Sequence, residues 1–528
     1  MNEAITYEII QAAIDAGVSE FILCSGSRNS SFIFALKDQP NLKVYFAFEE
    51  RSAAFFALGR CKLLNKPAAI VVSSGSAVGE LLPAAMEAHY TGMPLMLITA
   101  DRPHRFRGSG APQSVEQEGI FGFYVRKEYD LGPNDLCDLS DWDQKGPVQI
   151  NVRLEEPQKQ PPIQYKELKI TPFIAKKAII PGDKPLKEFL SKVRRPLAIV
   201  SALKSEDKEA VVNFLQALQI PVVLEGTSGI REEPRLQHLR IMRAEKILDA
   251  ATAAGYPIDG VLRIGGIPTQ RLWRDLEYLE GKVEVCSISD VPFSGLSWNR
   301  HIICTSIADF LTAHHKNFES AENWLEEDRR YYQMVVRLFE TEPLSEPAIL
   351  NQLSKIIPKY SNIYLGNSLP IREWDLAASY ENRGFNVYAS RGVCGIDGQL
   401  STFLGMCEPD CSNWAILGDL TSLYDLVGPW MLSQMEKMKF NIVIVNNGGG
   451  KFFERLYPGQ TEMLNIHELN FAPLAQLWGV DYERYERIPT EINMSGIVEI
   501  IPDDAATKRF WDAIGQGVKN EKIESAHR

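Results

Sequence analysis

The feature that most constrains the fold is the repeated alternation of short β-branched runs with longer stretches of helical period. In the first part of the chain the runs are FILCSG (21–26), KVYFAF (43–48), AAIVVSS (68–74) and LMLITA (95–100). Runs this apolar lack a polar face, so they suit parallel strands that helices cover on both sides. The pattern predicts βαβ units, in which a helix connects two parallel strands of one sheet.

The same pattern occurs twice more after a break in composition. A proline-rich, charged segment at 154–168 predicts a linker. Apolar runs resume over 196–306 and again over 362–502, and a charged amphipathic helix is predicted between them at 318–340. A length of 528 residues also suits about three domains of ~150 residues. We predict an α/β protein with three doubly wound parallel-sheet domains, which cover residues 1–160, 170–340 and 341–528.

Composition excludes several classes of protein. With 45% hydrophobic and 23% charged residues, the chain is neither disordered nor fibrous. Lys and Arg total 56 against 68 Asp and Glu, and the net charge of -12 opposes binding to nucleic acid or anionic lipid. No apolar run reaches the ~18 residues of a membrane span, and the acidic first helix is unlike a signal peptide, so we expect a cytoplasmic protein. The 8 cysteines include no CxxC pair, which predicts reduced thiols rather than disulfides or structural zinc.

The strongest local motif lies in the third predicted domain, where GDLTS (418–422) and NNGGG (446–450) follow successive strands. In a parallel sheet these strand ends face the ligand crevice, and the turn at Thr421 opens a helix whose N–H groups suit phosphate. The Asp419 carboxylate, the Asn447 amide oxygen and a main-chain carbonyl such as that of Gly449 are ligands that Mg²⁺ prefers. Either piece alone is more typical of a helix cap or a turn, but the two together predict a diphosphate and magnesium site.

A second motif, Glu49-Glu50-Arg51-Ser52, stands at a strand-to-helix junction in the first domain. Two interpretations are open from the residues alone. The acid either stabilises the helix dipole, or it is a carboxylate in an apolar crevice whose raised pKa lets it share a proton with a heterocycle.

Other phosphate-binding motifs fail on inspection. GGGK (448–451) is followed by Phe452 where a Walker loop needs Ser or Thr, and GSGAPQ (108–113) lacks the third glycine of GxGxxG. RIGGIP (263–268) is too degenerate for dinucleotide binding and predicts a turn.

Together these segments resemble the thiamine-diphosphate-dependent 2-oxoacid enzymes along nearly the whole chain, and within them the synthases of menaquinone biosynthesis. The resemblance is carried by CSGSRNS (24–30), EERSAAFFALG (49–59), TADRP (99–103), GAPQSVEQ (110–117), GNSLPIR (366–372), SRGVCGIDGQLST (390–402), GDLTSLYDL (418–426) and NNGGGKFFERLYP (446–458). It implies decarboxylation of 2-oxoglutarate and 1,4-addition of the succinyl carbanion to isochorismate, with thiamine diphosphate and Mg²⁺, or Mn²⁺ in its place, as cofactors.

The resemblance also implies roles for particular residues. Glu50 would hydrogen-bond the aminopyrimidine ring of the cofactor, and Ile396 would hold the cofactor bent. The residues implied to bind the cofactor are Glu50, Ile396, Gly418, Asp419, Leu420, Thr421, Asn447 and Phe452. The implied metal ligands are Asp419, Asn447 and the carbonyl of Gly449, and the implied catalytic residues are Glu50, Ser368 and Arg391.

Both implied substrates are dicarboxylates, which an acidic protein must bind through local cations, and arginine does this best. Any one arginine is more typical of a structural residue, but several stand at predicted strand ends within the matching segments. The candidates for substrate binding are Ser27, Arg28, Arg102, Gln113, Arg271, Asn367, Ser368, Arg372 and Arg391, with Phe453 and Leu456 as an apolar wall against water.

Two alternatives to this function are open. Gln270 and Pro112 depart from the family pattern in the acceptor region, so one alternative is a carboligase that joins 2-oxoglutarate to a different acceptor. The other is a non-catalytic ligand-binding protein on a relic fold, which predicts loss of Glu50, Asp419 or Asn447, and all three are present. Because Glu50 and Asp419 fall in different predicted domains, the resemblance implies that they meet across a subunit boundary of a homodimer or homotetramer.

Overall fold

A computed structural model of the chain describes residues 2–156, 168–170, 180–298, 302–304, 306–311 and 316–526. Its strands form three sheets of six strands each, in which every pairing is parallel. Helices alternate with the strands, so the predicted α/β fold class is confirmed. Among the described residues, no helix combines the length and the apolar character that crossing a membrane requires.

The first sheet contains β1 (Glu20–Cys24), β2 (Lys43–Ala47), β3 (Ala68–Val72), β4 (Leu95–Asp101), β5 (Lys127–Leu131) and β6 (Val148–Arg153). The second contains β7 (Pro196–Val200), β8 (Val222–Leu224), β9 (Arg240–Ile241), β10 (Gly260–Ile264), β11 (Glu284–Ser289) and β12 (Ile302–Cys304). The third contains β13 (Asn362–Leu365), β14 (Asn386–Tyr388), β15 (Ser412–Gly418), β16 (Lys439–Val445), β17 (Asp481–Tyr485) and β18 (Gly496–Ile500).

The helices up to the second sheet are α1 (Asn2–Asp15), α2 (Ser30–Leu36), α3 (Glu50–Leu64), α4 (Ser76–Gly79), α5 (Leu82–Thr91) and α6 (Lys184–Lys192). Those that follow are α7 (Lys208–Leu218), α8 (Ile247–Ala253), α9 (Arg271–Asp275), α10 (Ile307–Phe310), α11 (Glu322–Thr341) and α12 (Glu346–Ile356). The last are α13 (Leu369–Ala377), α14 (Gln399–Met406), α15 (Asp419–Tyr424), α16 (Phe452–Leu456), α17 (Ala472–Trp478) and α18 (Asp504–Ala526). The helix predicted at 318–340 is confirmed as α11, which begins four residues later than predicted.

The described chain divides into two compact units. One comprises Met1–Lys177, Ser390–Asp410 and Thr421–Met438 and holds the first sheet. The other comprises Ala178–Ala389, Cys411–Leu420 and Lys439–Arg528 and holds the second and third sheets. The predicted domain boundaries stay predictions, and most of the predicted linker, at 157–167, lies outside the described residues.

Burial on both faces of the sheets explains their apolar runs. Along β7, Leu197 and Ile199 belong to one apolar cluster, whereas Ala198 and Val200 belong to another. Successive side chains of a strand point to opposite faces, so the strand is covered from both sides, as the doubly wound prediction requires. No disulfide joins the cysteines whose side chains are described.

The first unit also contains a tight helix pair. A Cβ on Gly59 of α3 would lie 2.2 Å from the carbonyl oxygen of Thr402 in α14, and one on Gly405 would lie 2.2 Å from the carbonyl oxygen of Phe56. Only glycine allows two helix backbones to approach this closely. The pair ties the segment after residue 390 to the helix that begins at Glu50.

The strand orders locate the crevices where ligands bind in such sheets. The first sheet has the order β2-β1-β3-β4-β6-β5, and the third repeats it as β14-β13-β15-β16-β18-β17. The chain reverses direction across each sheet between β1 and β3 and between β13 and β15, and ligands of open parallel sheets bind outside the carboxyl ends of such strands. Asp419 follows β15 at one such crossing, and Glu50 follows β2, the neighbour of β1 at the other.

Candidate active site

A cleft of about 500 Å³ opens at the carboxyl ends of the strands in the first unit. We call it the first cleft. It is lined by Ser25, Gly26, Glu49, Glu50, Arg51, Ser73, Ser74, Ser76, Ala77, Glu80 and Gln113. Two of the predicted site residues, Glu50 and Gln113, thus line one cavity, and Ser27 follows directly after the lining residue Gly26.

Glu50 is the first residue of helix α3. The N-terminus of this helix is capped by the preceding residue, Glu49. The Glu49 carboxylate accepts the N–H of Ser52 at 2.7 Å, so Glu49 does the capping. Burial raises the pKa of Glu50, and the charges of Glu49 and Glu80 raise it further. A carboxyl group whose proton is retained in this way is suited to share it with a basic ring nitrogen.

A buried hydrogen-bond network that the sequence analysis missed supports the wall of this cleft. Gln117 accepts the N–H of Gly75 at 3.1 Å and donates to the Asn151 side chain at 2.9 Å. Asn151 in turn donates to Asp101 at 3.0 Å. The available signal was the strand VQINVR (148–153), in which polar and apolar residues alternate although both faces are buried.

In the first unit, two arginines that are predicted to bind substrate donate hydrogen bonds to main-chain carbonyls. Arg28 is buried and donates to the carbonyl oxygens of Leu154 and Glu155 at 3.2 and 3.1 Å. Arg102 donates to the carbonyl of Pro112 at 3.1 Å, directly before Gln113. Each guanidinium carries five N–H groups, so these contacts orient it and still leave donors for a ligand.

Arg391 and Ile396 lie in the loop between β14 and α14. From Ser390 onward this loop belongs to the first unit. Both side chains are partly buried. The N–H groups of the two residues after Arg391 are bonded to the side chain of Glu87 in α5. Thr421 of α15 is also in this unit and is buried.

In the second unit, Asp419 directly follows β15 and is held by main-chain donors. Its Oδ2 accepts the N–H groups of Gly448 and Gly449, both at 2.9 Å, and its Oδ1 accepts that of Leu420 at 2.6 Å. Burial nevertheless raises its pKa. His467 Nε2 lies 3.3 Å from Oδ2, a neighbour that the sequence did not indicate.

Asn447 presents an oxygen atom that is suited to a cation. Its amide nitrogen donates to Glu346 Oε2 at 2.9 Å, so its Oδ1 points away from that carboxylate. That oxygen is buried and accepts no hydrogen bond from any described residue. Gly449, the third predicted ligand, accepts the N–H of Lys451 at 2.9 Å through its carbonyl, which has a second lone pair.

These oxygens fit a hard cation such as Mg²⁺. Within the described ranges no group of three or more His, Cys, Asp or Glu side chains could hold a metal ion. An octahedral ion held by these oxygens could complete its shell with main-chain carbonyls, phosphate oxygens and water.

Two buried acids beside these oxygen donors are functional candidates that the sequence analysis missed. Glu346 and Glu373 are almost fully buried, and burial raises the pKa of both. The charge of Glu346 raises the pKa of Glu373 further, so the pair tends to share one proton. In the sequence both acids resemble ordinary solvent-facing residues of helices.

The segment after β13 brings several predicted substrate residues together. Ser368 has φ 75° and ψ −123°, a strained backbone for a residue with a side chain, and Asn367 beside it is buried. Arg372 donates to the carbonyl of Ser368 at 2.6 Å, and its guanidinium carbon lies 4.7 Å from the ring centre of Phe452.

Other predicted residues of the second unit are more exposed. Phe453 and Leu456 of α16 are 36% and 41% exposed, so they present apolar surface. The Arg271 side chain is 56% exposed and pairs with Asp275 of its own helix at 2.7 Å. The Asp275 carboxylate raises the pKa of the Arg271 guanidinium, and the charge of Glu245, outside this helix, raises it further.

Comparison with known proteins identifies the class. The family described as "Thiamine pyrophosphate enzyme, N-terminal TPP binding domain" matches residues 6–120, which include the first cleft and Glu50. The protein is a thiamine-diphosphate-dependent enzyme, and its three parallel sheets agree with this class.

Relatives that match over most of their length identify one family within this class. A 2-succinyl-5-enolpyruvyl-6-hydroxy-3-cyclohexene-1-carboxylate synthase of Bdellovibrio bacteriovorus is 39% identical over 97% of this chain and 98% of its own. Proteins of the same name from Akkermansia muciniphila and Chloroflexus aurantiacus are 34% and 29% identical, over 94% and 91% of this chain and 95% and 89% of theirs. The chain belongs to the 2-succinyl-5-enolpyruvyl-6-hydroxy-3-cyclohexene-1-carboxylate synthase family.

Proposed function

We propose that the protein decarboxylates 2-oxoglutarate and adds the resulting succinyl unit to isochorismate, which gives the product in its relatives' name. One observation carries this proposal. A single chain holds a half-buried acid with a raised pKa at one sheet crossing and a set of oxygen donors at the other, where the Asn447 oxygen accepts no hydrogen bond from the described residues. Thiamine diphosphate, when bound, would supply the electron sink that stabilises the carbanion left by decarboxylation.

The residues would divide the work as follows. Glu50 would hold a proton at the ring nitrogen of the aminopyrimidine, since burial and two neighbouring acids favour its protonated form. Asp419, Asn447 Oδ1 and the Gly449 carbonyl would hold Mg²⁺, or Mn²⁺ in its place, against the diphosphate. Gly418, Leu420, Thr421, Ile396 and Phe452 would complete the binding site for the cofactor.

Substrate carboxylates would bind to arginines whose positions are already fixed. Arg28, Arg102 and Arg372 each donate to a main-chain carbonyl, so little conformational entropy is lost when they also bind a ligand. Arg391, Ser27, Gln113, Asn367 and Ser368 would add donors. Phe453 and Leu456 would exclude water, which would otherwise protonate the carbanion.

A second copy of the chain would complete the site. Glu50 and Asp419 belong to different units, and the first unit exposes aromatic side chains close to Glu50 in sequence. Phe48 is 56% exposed and packs edge to face on Trp430, which is 42% exposed, with the ring centres 4.8 Å apart. Exposed aromatic pairs are typical of surfaces that a partner covers, which supports a homodimer or a homotetramer. Light scattering of the purified protein would measure this directly, and a monomer at catalytic concentration would contradict it.

The central experiment supplies purified protein with thiamine diphosphate, Mg²⁺, ¹³C-labelled 2-oxoglutarate and isochorismate. We expect labelled CO₂ and an adduct that carries the labelled succinyl unit, both detected by mass spectrometry. Omission of isochorismate is the control for the acceptor. Binding of cofactor without any release of CO₂ would favour a non-catalytic ligand-binding protein and contradict the proposal.

A carboligase with a different acceptor is the second candidate, favoured by the environment of Gln270 and Arg271. The N–H of Gln270 donates to the buried Glu225 at 2.8 Å, and Arg271 pairs with Asp275. Neither contact presents a cation to an incoming dicarboxylate. Release of CO₂ without an isochorismate adduct, together with an adduct to an aldehyde or another enone, would establish this alternative.

A further inference from the structure

Glu87 is a buried acid outside every predicted site. It lies on α5 and is 2% exposed. Its two carboxylate oxygens accept the N–H groups of Gly392 and Val393, at 2.9 and 2.8 Å. These are the two residues that follow Arg391, so one side chain fixes two consecutive peptide groups of that loop.

Lys62 of α3 holds the other side of Arg391. Its Nζ lies 3.6 Å from Glu87 Oε1 and donates to Ser390 Oγ at 3.1 Å. The Lys62 and Glu87 side chains are 10% and 2% exposed. A buried ion pair rarely adds stability over an apolar pair, so a buried pair whose side chains hydrogen-bond three residues of one loop indicates a role in placing that loop.

The fit between Glu87 and the loop also depends on Gly392. A Cβ at this position would lie 2.7 Å from the Glu87 carbonyl oxygen and 2.9 Å from Glu87 Oε2. The loop can approach the carboxylate only with glycine there, because both atoms lie far inside normal contact distance. Ser390, Gly392 and Val393 thus meet Lys62 and Glu87 in one fixed register.

We propose that Glu87 and Lys62 are positioning residues that set the place of Arg391, and through the same loop that of Ile396. The inference rests on the proposed function, in which Arg391 binds a substrate carboxylate and Ile396 contacts the cofactor. A displacement of about 1 Å in a positioning group can cost on the order of 10²-fold in rate. The Glu87–Lys62 pair would therefore affect turnover without contacting the substrate or the cofactor.

The test compares Glu87→Gln with Glu20→Gln. The control is closely matched because Glu20 is also buried in the first unit and also pairs with a cation of α3, Arg60, at 2.8 Å. In Glu87→Gln the new amide group faces a main-chain N–H and can no longer accept it. We expect hydrogen exchange at residues 392 and 393 to accelerate at least about tenfold. We also expect kcat/KM for 2-oxoglutarate to fall about 10- to 100-fold.

Glu20→Gln should lower stability and leave exchange in the loop unchanged. Gly392→Ala should reproduce the effect of Glu87→Gln, and the double variant should be no worse than the more severe single variant, because both break one contact. Should Glu87→Gln fail to fold, Glu87→Asp keeps the charge beside Lys62 but withdraws the oxygens from the loop. Unchanged exchange at 392 and 393, or equal acceleration in Glu20→Gln, would overturn the proposal. Exchange needs no turnover, so it decides the role of Glu87 even if the wild type makes no adduct.

Discussion

The orientation of the Asn447 amide is the most direct link between a buried contact and the proposed metal site. Glu346 Oε2 accepts the amide N–H of Asn447 at 2.9 Å, and this bond turns the buried Oδ1 away from the Glu346 carboxylate. The perturbation is Glu346→Leu, which replaces the accepting carboxylate by an apolar side chain of similar length. Without the acceptor the amide can rotate and present its nitrogen to the cation.

The expected loss follows from the strength of that bond. A hydrogen bond to a charged partner contributes about 1.5–3 kcal/mol, and every ~1.4 kcal/mol is tenfold in affinity. We therefore expect Mg²⁺ affinity to fall roughly 10- to 100-fold, the range typical of residues that orient a metal ligand. Glu373→Leu is the matched control, since Glu373 is the equally buried partner of Glu346 and has no described bond to Asn447. Its effect on Mg²⁺ affinity should stay below about threefold.

The assay is calorimetric titration of Mg²⁺ into protein saturated with thiamine diphosphate. Thermal unfolding of the metal-free variants serves as the stability control, because each variant leaves the other acid of the pair buried without its partner. Equal losses of affinity in both variants would mean that the acid pair acts through general packing. An unchanged affinity in Glu346→Leu would refute the orientation argument itself.

Three further predictions concern the first unit. Glu50→Gln should retain cofactor binding but lose about 10²- to 10⁴-fold in kcat, the range of general acid-base catalysis, and unchanged turnover would remove the assigned acid. Arg60→Met should lower the free energy of unfolding by about 3–5 kcal/mol, because it leaves Glu20 buried and unpaired, and adding Glu20→Leu should restore most of it in urea titrations. Burial raises the pKa of Asp425 in the folded protein. The contribution of Asp425 to the free energy of unfolding is therefore complete below the unfolded carboxyl pKa of ~3.9, and it is lost as the pH rises through the pKa of the folded protein. Asp425→Asn should therefore flatten the decline in stability above about pH 4, and parallel curves for variant and wild type would contradict this.

Most of the fold was predictable because burial on both faces leaves a strong signal. Runs such as AAIVVSS contain no polar face, and β3 is buried along its whole length. The strands that the sequence analysis missed include β5 and β17, which are edge strands of sequence KEYDL and DYERY. An edge strand keeps one side in water, so its charged residues hide the period of a strand. β9, only two residues long, was too short to produce any pattern.

Residues of the candidate site were predictable where they follow buried strands and unpredictable where they lie on helices. Asp419 and Asn447 stand at the ends of β15 and β16, and topology brings such positions to one edge. Glu87, Glu346 and Glu373 lie on helices, where an acid is normally solvated. Only the packing of the loops against them reveals that they are buried, and a single sequence contains no trace of that packing.

The middle sheet differs from the two sheets whose strand ends hold the candidate residues for cofactor and metal binding. Its order, β12-β11-β10-β7-β8-β9, also reverses direction, between β7 and β10, and the Gly265-Gly266 turn of the RIGGIP segment follows β10. A phosphate at that point would need main-chain N–H groups that point into the crevice. The N–H of Gly265 instead donates to the Ile288 carbonyl at 2.9 Å, and that of Gly266 donates to the Ala202 carbonyl at 3.0 Å. Both donors are used within the protein, so this turn offers neither N–H to a phosphate, whereas the equivalent strand ends of the first and third sheets present carboxyl and amide groups that can hold a ligand.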